Sequence, residues 1–134
     1  MELSFKIRKD IDTVFAYLSD MQKFASIHPV ISSIEDLGNA HYKVHETLKL
    51  GLLSYSFTYK ATVTANKQTK SVIIRASVFG LVKIEVKFHL IPTGEYTNIS
   101  EQVTFTTLLP IQTVMAGVFK KYHTELFKNL EATQ

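Results

Sequence analysis

The side chains that could do chemistry in this chain are carboxylates, tyrosines and five histidines; cysteine is absent. Thiolate catalysis and disulfides are thereby excluded, and a reducing, cytoplasmic location is expected. Glu46 stands in HYKVHETLKL and Glu101 in NISEQVTFT, each at a position that alternation assigns to the apolar side of a strand. A carboxylate facing a core must pair, bind water or protonate, because burial disfavours its charge. Two readings stay open. Either a lysine, Arg75 or a tyrosine pairs with these acids, or a bulge turns them outward; or they line a wet cavity and orient the polar head of a ligand. Glu125 is a third acid, near the apolar side of the last helical stretch. Tyr42, Tyr55 and Tyr59 share the inward phase and Tyr122 lies on that helix, so four hydroxyls also need partners.

The histidines form no metal pattern. His41 and His45 lie four apart on a strand, about 13 Å at about 3.3 Å per residue, too far to share one ion. They fall on the outward phase, as does His89, and His123 falls at the edge of the helical apolar face. His28, before Pro29, is the one histidine placed near an apolar rim, as a ligand contact or general base, or as a helix-end or turn feature. The chain has no HExxH, no glycine-rich phosphate loop, no GxSxG and no Cys–His pair. No catalytic residue, metal or cofactor is expected.

The elements that must carry these groups are legible in the hydrophobic period. Residues 2–8 alternate as a strand, and Ile11, Val14, Phe15 and Leu18 follow helical spacing after the cap candidates Asp10 and Asp12. Asp20 caps a second short helix through about residue 27, which Pro29 ends. Strands are then predicted at about 30–37, 41–50, 54–65, 70–79, 82–91 and 96–107. A final helix over 110–131, with Pro110 in its first turn, would be about 33 Å long and could lie across a whole sheet. Short connections imply an antiparallel meander, and the long helix is the one large partner for its apolar face. The fold class is α+β, in a single domain over residues 1–134.

Turns of a meander alternate between the two ends of the sheet. Those near Gly51 and Gly80 share an end with the entry to the long helix, and they read KLGLLS, VFGLVK and TLLPIQ. Leu50, Leu52, Leu53, Phe79, Leu81, Leu108, Leu109 and Ile111 would ring that end. Turn tips usually carry polar residues, so the rim either folds over to close the core, or forms a ligand entrance, or is a partner or membrane surface. Gly117 in the helix would lower bulk beside a cavity.

Composition sets the remaining bounds. The chain is 46% hydrophobic and 20% charged, which excludes disorder. A net charge of +3, scattered lysines and two arginines give no basis for nucleic-acid binding. The start, MELSFKIRKD, is no secretory signal, and no run of about 18 apolar residues would span a membrane. Peripheral membrane contact stays open, and a monomer or homodimer is expected.

The opening strand SFKIRKD, the stretch IDTVFAYLSDMQKFASIHPVISSIEDLG, the meander and the final helix together resemble the START-like, or Bet v 1-like, helix-grip superfamily (SRPBCC). That superfamily includes polyketide cyclases and lipid-transfer proteins. DTVFAYLSD…HPVISSIEDLGNAHYKV followed by LGLLSYSF is most similar to the carbon monoxide dehydrogenase G-subunit branch. The resemblance implies a curved seven-stranded antiparallel sheet wrapped around the C-terminal helix, two short helices after the first strand, and a hydrophobic cavity between sheet and helix. It carries over no catalytic residue.

Three functions are compatible with this reading. The first is binding or transport of a small hydrophobic ligand such as a lipid, isoprenoid quinone or polyketide. Its tail would meet Phe57, Ile84, Phe88, Met115, Val118 and Phe119, with Phe105 and Tyr55 on the same inward face. Its head would meet Glu46, Tyr59, Glu101 or Tyr122, with Tyr42 nearby. His28, Leu52, Leu53, Phe79, Leu81 and Leu109 would form the cavity rim. The second is a polyketide cyclase or dehydratase using one of the acids. The third is an interaction module with a filled core.

Overall fold

The computed structural model describes residues 1–134 except for the side chain of Leu50, so the place of Leu50 in the expected rim lies outside the described residues. The chain runs β1 (Glu2–Ile7), α1 (Ile11–Ser19), α2 (Met21–Ile27), β2 (Ile31–Gly38), β3 (His41–Leu50), β4 (Leu53–Asn66), β5 (Ser71–Val78), β6 (Val82–Thr93), β7 (Tyr96–Thr107) and α3 (Gln112–Glu131). Strands β2 to β7 form the antiparallel meander, and β1 pairs with β7, giving the sheet order β1-β7-β6-β5-β4-β3-β2. This is the curved seven-stranded helix-grip arrangement that the family resemblance implied.

Local chemistry sets the boundaries. Asp10 is the cap of α1, accepting from the Thr13 backbone N–H at 3.2 Å and from Thr13 Oγ1 at 2.6 Å. The other candidate, Asp12, sits in the first turn and pairs with Lys70 at 2.8 Å. Asp20 ends α1 and caps α2, accepting from the Gln22 and Lys23 N–H groups at 3.0 and 3.2 Å. The long helix begins two residues later than its apolar period predicts. Ile111 N–H donates to the Leu109 carbonyl at 2.9 Å, a γ-turn centred on Pro110 that keeps this proline outside the helix.

The inner sheet face packs Val44, Val63, Val72, Val86 and Ile99 into one core with Val14 and Leu18 of α1 and with Phe24 of α2. The outer face carries the ion pairs His45–Glu35 and Arg75–Glu85, at 2.6 and 2.8 Å. Arg75 is thus used on the outer face and is unavailable to the inward acids.

α3 joins the core unevenly. His123, Leu126, Phe127 and Leu130 are buried, whereas Val114 is 67% exposed. Phe127 packs on Phe5 with tilted rings, 4.6 Å between centroids, and meets Phe88 edge-on at 6.0 Å, which fixes the C-terminal half against β1 and β6. Asn129 Nδ2 donates to the Ile27 carbonyl at 2.9 Å and ties the same half to the end of α2. Glu125 faces water, as a correction to its expected inward lean. No helix among the described residues is long and apolar enough to cross a membrane.

Gly117 also departs from expectation. It faces water, and a Cβ built there meets nothing within 4 Å, so it relieves no crowding beside the core. Gly117→Ala should therefore stabilise the fold by about 0.5–1 kcal/mol through helix propensity alone. Urea denaturation should show a higher midpoint with an unchanged slope; a loss of stability would mean that the position is packed.

Candidate functional site

Where the N-terminal half of α3 stands off the sheet, a cavity of about 400 Å³ lies between them, flanked by α2. Met115, Val118 and Phe119 line the cavity from α3, and Phe57, Ile84 and Phe88 line it from β4 and β6. Strands β3 to β6 reach the cavity through alternate residues, as with Val44, Glu46 and Leu48 on β3.

The mouth lies at the end of the sheet carrying the β3–β4 and β5–β6 turns. Phe79, Leu81 and Leu109 line it and remain largely exposed. The β5–β6 turn is built on Phe79 and Gly80, with φ of 55° and 65°, and Leu81 N–H closes it onto the Val78 carbonyl at 3.1 Å. Such a turn favours Asn-Gly; a bulky residue in the left-handed region is strained. The phenylalanine is thus not there for the turn. Its ring lies 5.8 Å from that of Phe57 and is 70% exposed, which places it across the mouth.

Polar groups gather at another part of the wall. His123 Nδ1 hydrogen-bonds Glu101 Oε2, and both side chains are buried. Glu101 Oε1 has no partner. Phe119 and Phe88 flank the His123 ring at 4.9 and 6.1 Å, and His28 meets it edge-on at 6.0 Å. His28 Nδ1 accepts from the backbone N–H groups of Val30 and Ile31, at 3.2 and 3.3 Å. Those donors fix its tautomer: Nδ1 is bare and Nε2 carries the proton. Burial, with the neighbouring His123 adding to it, pushes the His28 pKa down to about 3. Burial raises the Glu46 pKa, opposed by the Tyr59 hydroxyl beside it. Burial and the adjacent Glu46 hold the Tyr59 phenol well above its ordinary value.

Of the residues expected to contact a ligand, Glu46, Phe57, Tyr59, Ile84, Phe88, Met115, Val118, Phe119 and Tyr122 come together on the cavity wall. Four do not. Glu101 lies behind the wall, its carboxylate taken by His123. Phe105 is covered by Phe119, the rings meeting edge-on at 5.2 Å. Tyr42 packs at the margin of the core, and Tyr55 is half exposed near the end of its strand. Of the expected rim, Phe79, Leu81 and Leu109 hold the mouth, while Leu52 and Leu53 project into solvent beyond the lining. His28 is inside, against Phe24 and His123, because α2 carries it inward from the strand end.

Sequence reasoning missed His123, and also Met21 and Phe24 of α2, which line the cavity from the side. The signal for His123 was present. It lies four residues after Phe119 and four before Phe127, on the same helical stripe.

Phe79→Asn should relieve about 1 kcal/mol of turn strain while opening the mouth. Its thermal midpoint should rise while the dissociation rate of a bound apolar fluorophore such as N-phenyl-1-naphthylamine increases. A slower release would contradict the placement of this ring. His28 supplies a pH signature. Its folded pKa lies below the ordinary 6.5, so the unfolded chain binds more protons between pH 6.5 and about 3. Stability from this residue is therefore present above pH 6.5 and is lost as pH falls. Relative to wild type, His28→Asn, which retains an acceptor for the backbone N–H groups, should gain about 2 kcal/mol between pH 7 and pH 5. Denaturation of both proteins at the two pH values measures this, and the comparison removes the opposing contribution of Glu46.

No functionally curated protein matches the sequence. Among solved structures, the fold is similar to Ara h 8.0201, with a TM-score of 0.79, 18% identity, and coverage of 98% of this chain and 93% of that one. A START superfamily protein from Mycobacterium smegmatis superposes with a TM-score of 0.79 at 16% identity, covering 98% and 93%. The Zhui aromatase/cyclase from Streptomyces sp. R1128 gives 0.73 at 13% identity, covering 98% and 90%. At these identities the likeness is one of fold, the START/Bet v 1 fold. Residues 4–106, most of the chain, match the model of the CoxG family, the G subunit of carbon monoxide dehydrogenase, and the protein belongs to that family.

Proposed function

We propose that this protein binds a small hydrophobic ligand, of the lipid, isoprenoid quinone or polyketide type, between the sheet and α3. The observation that carries the reading is the cavity of about 400 Å³, apolar along most of its wall and polar at Glu46, Tyr59, His28 and His123. The volume falls in the ordinary range for ligand sites, and an apolar wall that opens at a mouth favours an apolar occupant. The tail would lie along Phe57, Ile84, Met115 and Phe119, and the head would meet the polar groups.

A second reading, a cyclase or dehydratase of polyketide-type substrates, draws support from the Glu101–His123 pair and from the fold shared with the aromatase/cyclase. A carboxylate that orients an imidazole beside a cavity is the usual support of a histidine acid or base. It would require turnover of a poly-β-keto substrate that is lost in His123→Phe.

Mass spectrometry of the purified protein, native and then denatured in organic solvent, tests the first reading. A stoichiometric hydrophobic molecule is expected; a protein that stays empty after exposure to quinones and lipids would oppose it. Glu46→Ala should weaken binding of that molecule about tenfold, the scale of one or two lost hydrogen bonds. It should leave stability unchanged or higher, since an inward carboxylate opposes burial.

A further inference from the structure

The polar part of the cavity has a definite hydrogen-bonding sense. His28 receives two backbone N–H groups on Nδ1, so its Nε2 is a donor. His123 turns Nδ1 to Glu101, leaving Nε2 as its other nitrogen. Glu101 Oε1 is the one fully buried side-chain nitrogen or oxygen without a hydrogen-bond partner among the described residues, so neither Nε2 is sealed off from the cavity that both rings line.

The Glu101–His123 pair is enclosed by Phe88 and Phe119, and Glu46 lies on the cavity wall that His123 also lines. A net negative charge on that pair would be unshielded, since Glu101 Oε1 has no donor and the flanking side chains are apolar, so the arrangement favours a pair that is neutral overall. Neutrality admits an imidazolium with a carboxylate, or an imidazole with a carboxylic acid whose proton is given to Nδ1. In both forms Nε2 carries hydrogen. The two histidines thus present N–H donors and no acceptor. Their ring centroids are 6.0 Å apart. An oxygen about 2.9 Å from each nitrogen can bridge rings up to about 8 Å apart.

We propose that His28 and His123 form a carbonyl-binding clamp, in which both Nε2–H groups donate to one oxygen of the ligand head. The cavity then selects conjugated ketones over hydrocarbons of the same shape. This rests on the ligand-binding reading above and adds the chemistry of the head. Glu101 is a positioning residue: it holds the His123 ring and keeps its outer nitrogen protonated.

The test compares 2-acetylnaphthalene with 2-isopropenylnaphthalene, which replaces the carbonyl oxygen by a methylene group at nearly constant shape. Wild-type protein should bind the ketone about tenfold more tightly, the scale expected for hydrogen bonds to a buried oxygen. The Glu101→Leu/His123→Phe double variant removes both members of the buried pair without stranding a charge. It should bind both probes and lose most of the preference. Equal binding of the two probes by wild type would overturn the clamp and leave the cavity reading intact. A preference that persists in the double variant would also overturn it. If neither probe binds to wild type, both readings fall. The wild-type comparison does not depend on the variant folding.

Discussion

The molecule depends on how α3 meets the sheet. Leu126, Phe127 and Leu130 are buried to within 1% relative exposure, and each large apolar side chain so placed contributes about 1.5–3 kcal/mol. The contacts of Phe127 with Phe5 and Phe88 fix one end of the helix against β1 and β6. A helix is stiff, and the sheet beneath it is curved. Seated at its C-terminal half, α3 cannot follow the curvature, and its N-terminal half stands away from β3 to β6. The cavity is the space this leaves, and its apolar wall is the part of the sheet face that the helix does not cover.

His123 lies at the boundary between the two halves. On one side are the seated residues Leu126 and Phe127, and on the other the cavity residues Phe119 and Met115. That position explains the buried carboxylate. Glu101 has no access to water, so it requires a partner from the helix, and His123, one turn before the seated residues, supplies it. One pair therefore completes the core and forms part of the cavity wall. His28 is held beside it by α2, whose own anchorage runs through Asn129 of the same helix half.

The mouth follows a different constraint. Leu52 and Leu108 are fully exposed, so the apolar tips do not fold over to close the core. Phe79 accepts a left-handed backbone that suits asparagine or glycine, and its ring lies against Phe57 at the entrance. Local strain is set against coverage of an opening, which is where departures from turn preference are expected.

Much of this was legible in the residues. The switch from period two to period 3.6 located the strands and helices, Asp10 and Asp20 marked two helix starts, and alternation placed Glu46, Tyr59 and Phe57 on the inner face. Counting turns placed VFGLVK and TLLPIQ at one end, where the mouth is. Tertiary structure alone decided which inward residues face space and which face atoms. Tyr42, Tyr55 and Phe105 share the phase of Phe57 and Tyr59, yet they lie outside the wall. His28 belongs inside although its neighbours in sequence suggested a rim. The reason is physical. Alternation reports on which side of a strand a side chain lies, a local property of the backbone. Whether a helix covers that side depends on where a straight rod leaves a curved surface, and that is set by contacts such as Phe5 with Phe127 that join opposite ends of the chain.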